Sequence, residues 1–188
     1  MRLIIGISGA SGVCMGYSLL QALKDMPQVE THLVITKGAA ENFRLETDFS
    51  LEEVTKLADF SYSNKDLAAP IASGSFRTEG MIIIPCSMKT LAGIASGFSE
   101  NLLLRAADVC LKEGRPLVLV PREPPLSRIH LRNLKEAADS GCTIIPPMLT
   151  FYNRADTVEK QVQHILGKVL NCFGIEYSAF VPWKGEKK

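Results

Sequence analysis

The sequence predicts a doubly wound α/β fold, a parallel sheet with helices on both faces, and three observations carry that reading. Five short runs rich in Ile, Val and Leu recur along the 188 residues, nearly continuously apolar rather than alternating, as strands covered on both faces are. Helical periodicity fills the intervals, and strand–helix alternation is the signature of parallel α/β layers. The first apolar run then breaks into Gly6-Ile7-Ser8-Gly9-Ala10-Ser11-Gly12, small residues where a strand gives way to a helix.

The strands are expected over Arg2–Ile7, Thr31–Ile35, Gly80–Pro85, Pro116–Pro121 and Thr143–Pro146. Val13–Lys24 reads as a helix because Met15, Leu19, Leu20 and Leu23 fall on one face. Ser50–Asp59 opens with Ser-Leu-Glu-Glu, a capping box in which Ser50 and Glu53 satisfy each other's backbone donors. Further helices fit Thr90–Ala95, Glu100–Lys112, Ser127–Ser140 and Thr157–Cys172. Ser61–Thr78 is the longest irregular stretch, and loops of that length tend to be functional or to form interfaces. No internal repeat, low-complexity tract or domain boundary interrupts residues 1–188, which read as one domain.

Composition narrows the function classes. Apolar residues make up 46% and charged residues 22%, a globular balance, and the net charge of +1 offers no basic stripe for nucleic acid. No apolar run approaches the roughly 20 residues needed to cross a bilayer. The first apolar stretch follows Arg2 as a signal peptide would, but Gly6 breaks it and an amphipathic helix follows, so it reads as a strand. Five scattered cysteines without a C-x-x-C pair point to reduced thiols in the cytoplasm. His32, His130 and His164 lack metal-ligand spacing, so structural or surface roles and no metal are expected. Cys86 has no histidine beside it in sequence to act as a base and reads as a small buried hydrophobe.

In an open parallel sheet, ligands bind beyond the carboxyl ends of the strands. The glycine loop sits there, and its helix N-terminus offers free N–H groups to a phosphate. Its spacing is G-x-x-G-x-x-G, the second strand ends in Thr36-Lys37 rather than an acid, and no Walker lysine follows. A mononucleotide such as FMN suits this hydroxyl-rich cradle better than NAD or ATP, with tight helix–strand packing as the bland alternative. Other strand ends carry Pro85-Cys86-Ser87-Met88-Lys89-Thr90, Pro121-Arg122-Glu123-Pro124-Pro125, and Pro146-Pro147 followed by Phe151-Tyr152. Ser87 and Thr90 suit helix capping equally well, and Arg122–Glu123 suits a surface pair.

Taken together, Gly9-Ala10-Ser11-Gly12, Glu46-Thr47, Ser73-Gly74-Ser75, Pro85-Cys86-Ser87, Arg105-Ala106-Ala107-Asp108-Val109, Leu111-Lys112-Glu113 and Leu117-Val118-Leu119-Val120-Pro121-Arg122-Glu123 resemble the UbiX-type flavin prenyltransferases. The resemblance continues through Phe151-Tyr152-Asn153 to the Trp183 region. It implies a Rossmann- or flavodoxin-like sheet and a metal-independent transfer of the dimethylallyl group of dimethylallyl phosphate to N5 and C6 of reduced FMN. The prenylated FMN would serve a UbiD-type aromatic acid decarboxylase, and the chain would assemble as a homododecamer with sites at subunit interfaces.

By the same resemblance, Gly9, Ala10, Ser11, Thr36, Ser87, Met88, Lys89, Thr90 and Arg122 would bind FMN, with Ser11 as a proton relay. Lys112, Arg122, Tyr152 and Lys168 would hold the allylic phosphate. Glu123 would pass it a proton, Glu46 would be a further acid, and Trp183 would wall the allyl group, with the tail 174–188 at a subunit interface. Such a reaction needs cationic and hydroxyl donors around the departing phosphate, apolar walls around the carbon chain, and a proton shuttle. Lys168 stands where many members carry arginine, keeping the charge but not the bidentate fork. Two further classes compete. One is an FMN-dependent decarboxylase of cysteine-containing substrates, whose asparagine–methionine motif is replaced here by Ser87-Met88-Lys89-Thr90. The other is a flavodoxin-like electron carrier, usually far more acidic than this chain. An older reading makes the protein itself the decarboxylase.

Overall fold

The structure, a computed structural model, describes residues 1–185, so Glu186 to Lys188 of the expected interface tail lie outside the described residues. Its strands are β1 (Arg2–Ile7), β2 (Glu30–Ile35), β3 (Phe60–Ser63), β4 (Gly80–Cys86), β5 (Leu117–Pro121) and β6 (Cys142–Ile144). Every pairing is parallel, and the order across the sheet is β3-β2-β1-β4-β5-β6. That is the dinucleotide-fold order, in which the winding reverses between β1 and β4 and opens a crevice at their carboxyl ends. The helices are α1 (Val13–Lys24), α2 (Lys37–Glu46), α3 (Leu51–Thr55), α4 (Met88–Ala95), α5 (Leu102–Lys112), α6 (Arg128–Asp139) and α7 (Val158–Asn171).

Strand pleating explains the two cores. Leu3, Ile5, Ile7, Ile82, Ile84, Val118 and Val120 face one way, against α1, α2, α3 and α7. Ile4, Met81, Ile83, Leu117 and Leu119 face the other, against α4, α5 and α6. Each of these side chains is essentially inaccessible, and burying one such Leu or Ile is worth about 1.5–3 kcal/mol. Gly6 on β1 leaves room for Leu103 and Met81, whose side chains a Cβ there would meet at 3.1 Å.

Three expectations need correction. β3 runs from Phe60 into the Ser61–Thr78 stretch read as irregular; Phe-Ser-Tyr-Ser is a short, mostly exposed edge strand, so it lacks the apolar run that marks its neighbours. α2 was not expected, because Lys-Gly-Ala-Ala-Glu-Asn-Phe-Arg-Leu-Glu buries only Ala39 and Phe43. The Ser50–Glu53 capping box forms as expected, with Ser50 N–H donating to Glu53 at 2.8 Å, but its helix stops at Thr55. Asp59 instead accepts from the Thr31 N–H at 2.7 Å, tying the start of β3 to β2.

β1 and β4 are joined at their ends by one buried side chain. The Ser8 hydroxyl donates to the Pro85 carbonyl at 3.0 Å and accepts from the Ser87 N–H at 2.8 Å, while the Ser8 N–H also donates to Pro85 at 3.1 Å. Proline has no N–H for the ladder, and here the β4–β5 register shifts between Ile83 and Cys86. Ser8→Ala leaves the buried Pro85 carbonyl short of one donor and the half-buried Ser87 N–H without its acceptor, a loss of roughly 2 kcal/mol. For a chain of this size that lowers the thermal midpoint by about 4–8 °C, measurable by calorimetry at fixed protein concentration.

Candidate functional site at the switch point

Three helices begin beside the crevice. α1 follows β1, α2 follows β2 and α4 follows β4, and these are adjacent strands. At strand spacings of about 4.8 Å, their N-termini lie within roughly 10 Å of one another, and all aim free N–H groups and positive dipole ends the same way. Thr36 and Ser87 are the N-caps: the Thr36 hydroxyl accepts from the Ala39 N–H at 3.2 Å, and Ser87 accepts from the Thr90 N–H at 3.3 Å. The Ser87 hydroxyl also donates to that of Thr90 at 3.1 Å, and Thr90 is buried. These hydroxyls therefore set helix positions first.

α1 has no side-chain cap of its own. Gly12 adopts the left-handed conformation (φ 97°), which only glycine enters cheaply, and its N–H donates at 2.8 Å to the carboxylate of Glu46 from the end of α2. Glu46 thus anchors the loop and supplies the negative charge that a helix N-terminus favours. Gly9 lies against Gly38, where an added Cβ would come within 3.0 Å of the Gly38 Cα, and a Cβ on Gly16 would lie 2.7 Å from the Ile84 carbonyl. So the loop's glycines are required in part by packing, Gly9 against α2 and Gly16 against β4. What this packing leaves open is a backbone stretch with Gly9 and Ser11 exposed.

Arg122 and Glu123 follow β5 and are exposed; the Arg122 N–H donates to the Cys86 carbonyl at 3.2 Å, seating the pair beside Ser87, Met88 and Lys89. Cys86 itself is inaccessible and burial pushes its thiol far above the ordinary range, so it is no nucleophile. His32 is held by Glu30 at 2.8 Å and Tyr62 at 2.9 Å, and His130 accepts from the Ser127 N–H at 3.3 Å. Both are structural.

Tyr152, Lys168 and Trp183 form a second group. Tyr152 meets both His164 and Trp183 edge-on, with ring centroids 5.6 and 5.5 Å away, and its hydroxyl lies 3.4 Å from His164 Nε2. Gly167 makes this possible. A Cβ there would strike the Phe180 ring at 2.2 Å, so the bare helix surface lets Phe180 settle 5.1 Å from His164 and under Lys168. That folds the tail back and brings Trp183 to Tyr152. Burial, and secondarily the Lys168 charge, hold the His164 pKa below its usual value. Ser8, Gly38, Gly167 and Phe180 are the parts that sequence reasoning missed, and His164 takes the structural side of its expected structural or surface role; the signal available for Gly167 was a glycine in mid-helix.

Lys112 is elsewhere. It ends α5, at the amino edge of the sheet, ion-paired with Glu113 and packed on Gly74, while Arg115 binds the carbonyls of Gly74 at 2.7 Å and Phe76 at 3.0 Å. The length of β5 separates it from Arg122 and Glu123, on the order of 15 Å. Within one chain the phosphate-binding set expected from the resemblance is therefore divided. A cavity of about 840 Å³ opens between α1, α7 and the residues after α2, and of the expected site residues only Glu46 borders it. Among the described residues no group of acidic, Cys and His side chains has the arrangement of a metal site, and no helix is long and apolar enough to cross a membrane.

The Gly167 notch gives a test of the second group. Gly167→Ala adds helix propensity of up to ~1 kcal/mol but displaces Phe180. The expected result is a thermal midpoint shifted by no more than about 4 °C, with loss of the near-ultraviolet circular dichroism of the Tyr152–Phe180–Trp183 cluster. Phe180→Ala should lose the same signal.

A flavoprotein family model matches residues 1–173. A protein of Sedimentibacter hydroxybenzoicus named as a probable UbiX-like flavin prenyltransferase is 63% identical over 100% of this chain and 99% of its own length. The crystal structure of a dodecameric FMN-dependent UbiX-like decarboxylase from Escherichia coli O157:H7 superposes with a TM-score of 0.96 at 55% identity, covering 98% of this chain and 100% of that one. The structure of AnUbiX (PadA1) in complex with FMN and dimethylallyl pyrophosphate also gives 0.96, at 46% identity over 99% of this chain and 98% of that one. With its 3-2-1-4-5-6 sheet and its glycine loop at the switch point, the chain belongs to the flavoprotein family and, within it, to the UbiX-like flavin prenyltransferases.

Proposed function

We propose that this chain prenylates reduced FMN, joining the dimethylallyl group of dimethylallyl phosphate to N5 and C6, and that a UbiD-type aromatic acid decarboxylase uses the product. The observation that carries the reading is the end-to-end likeness to a solved relative that holds FMN and a dimethylallyl pyrophosphate. The local geometry fits a flavin mononucleotide: three helix N-termini meet one crevice, with Gly9 and Ser11 open to it. When bound, reduced FMN supplies the electron-rich ring positions that the allyl group joins.

On this reading Gly9, Ala10, Ser11, Thr36, Ser87, Met88, Lys89, Thr90 and Arg122 line the flavin cradle. Lys112, Arg122, Tyr152 and Lys168 neutralise the substrate phosphate, which is how side chains perform what a metal ion does elsewhere. Glu123 hands a proton to the phosphate as the allylic C–O bond breaks, Ser11 relays a flavin proton, and Trp183 shields the carbon chain from water. Glu46 keeps the cradle in shape through Gly12. Because Lys112 stands beyond the opposite end of β5 from Arg122 and Glu123, this reading has the phosphate site completed by a neighbouring copy. A homododecamer, the assembly of the Escherichia coli relative, supplies such neighbours. We place the protein in the cytoplasm and take residues 1–188 as one domain.

The test is anoxic incubation with reduced FMN and dimethylallyl phosphate, without magnesium, followed by mass spectrometry of the extracted flavin. The expected product is heavier by one isoprenyl unit and falls at least a hundredfold in Glu123→Gln, a typical loss for a general acid. The purified protein alone should leave hydroxybenzoates intact; decarboxylation without a partner enzyme would revive the older reading.

A further inference from the structure

His164 is 4% exposed, and its Nδ1 is buried with no partner among the described residues. A bare lone pair is tolerated in such a place better than an orphaned N–H donor. The ring proton is therefore assigned to Nε2, the nitrogen 3.4 Å from the Tyr152 hydroxyl, and the imidazole is the donor in that contact. The phenol oxygen, already accepting from His164, directs its own hydrogen elsewhere. Tyr152 is 44% exposed, so that hydrogen is free for an incoming acceptor. Lys168 stands one helical turn beyond His164 on α7, with its ammonium over Phe180 on the same side.

We propose that His164 is a positioning residue for the transfer reaction: by donating Nε2–H to the Tyr152 oxygen it fixes the phenol as a hydrogen-bond donor to the substrate phosphate. The proposal rests on the reading of Tyr152 as a phosphate ligand and adds a residue to it. Phe180, seated in the Gly167 notch, also packs against the imidazole, with ring centroids 5.1 Å apart. Trp183 and His164 both meet the phenol ring edge-on, so the ring that carries the donor has packing contacts besides the hydrogen bond.

The experiment is steady-state kinetics with dimethylallyl phosphate on the full chain, using His164→Phe, His164→Gln, Tyr152→Phe and the Phe/Phe double variant. His164→Phe keeps an aromatic ring but donates nothing; His164→Gln keeps an N–H that reaches the phenol. The expected result is a KM about tenfold higher in His164→Phe, exceeding any fall in kcat, with FMN affinity changed less than twofold. His164→Gln should recover most of the loss, and in a Tyr152→Phe background His164→Phe should add nothing further. Equal falls in kcat and FMN affinity without rescue by Gln, or full additivity in the double variant, would overturn the proposal. Tyr152→Phe raising KM while His164→Phe does not would overturn it alone. An unchanged KM in Tyr152→Phe would remove the reading of Tyr152 and this proposal together, and circular dichroism on each variant separates these outcomes from misfolding.

Discussion

The hydroxyl of Ser8 is the contact on which the rest of the crevice depends. It bridges the Pro85 carbonyl and the Ser87 N–H, and so fixes the ends of β1 and β4 to each other where a proline leaves the ladder short of a donor. The same loop must then pass Gly38 at backbone distance on one side and send α1 along the Ile84 carbonyl on the other. Three close approaches within nine residues leave little freedom in where the helix N-termini stand. Anion binding at such a point depends on aligned N–H groups, whose alignment is a packing property of the sheet before it is a property of any ligand.

That packing divides labour among the polar residues. The hydroxyls of Thr36 and Ser87 are engaged as caps, and the carboxylate of Glu46 is engaged at Gly12. Each is polar because a backbone donor requires it. Ser11, Lys89, Arg122 and Glu123 are instead exposed at the rim. On the proposed reading the first set holds the shape and the second meets the substrates. Resemblance alone places both sets in one site, whereas hydrogen bonding separates them by what each already does.

The core of the fold was legible because continuous apolar runs have one economical arrangement. Ile82 and Ile83 point to opposite faces and are both inaccessible, which only a strand covered twice explains. β3 was not legible, since a polar edge strand takes its conformation from β2 and from the Asp59–Thr31 bonds rather than from its own residues. Likewise the glycine loop announced a close approach but not to what; Gly38, the partner of Gly9, lies far along the chain and is met only through the fold. Lys168 and Trp183 were candidates for the site only by family resemblance. What joins them to Tyr152 is the Phe180 ring in the Gly167 notch, a contact with no periodicity to betray it.

Lys112 and Glu123 stand beyond opposite ends of β5, on the order of 15 Å apart, so on the proposed reading they meet a common phosphate only across copies. Lys112 is meanwhile held locally, paired with Glu113 over Gly74, and Arg115 clamps the loop that carries Gly74. On the proposed reading, Lys112 exchanges this exposed pairing with Glu113 for the substrate phosphate of another copy. If substrate phosphate is bound between copies as proposed, then assembly and catalysis share one requirement. A surface change that weakens association should then depress phosphate affinity before it disturbs the flavin cradle, because the cradle's anchors, Ser8, Gly9, Glu46 and Ser87, all belong to one chain.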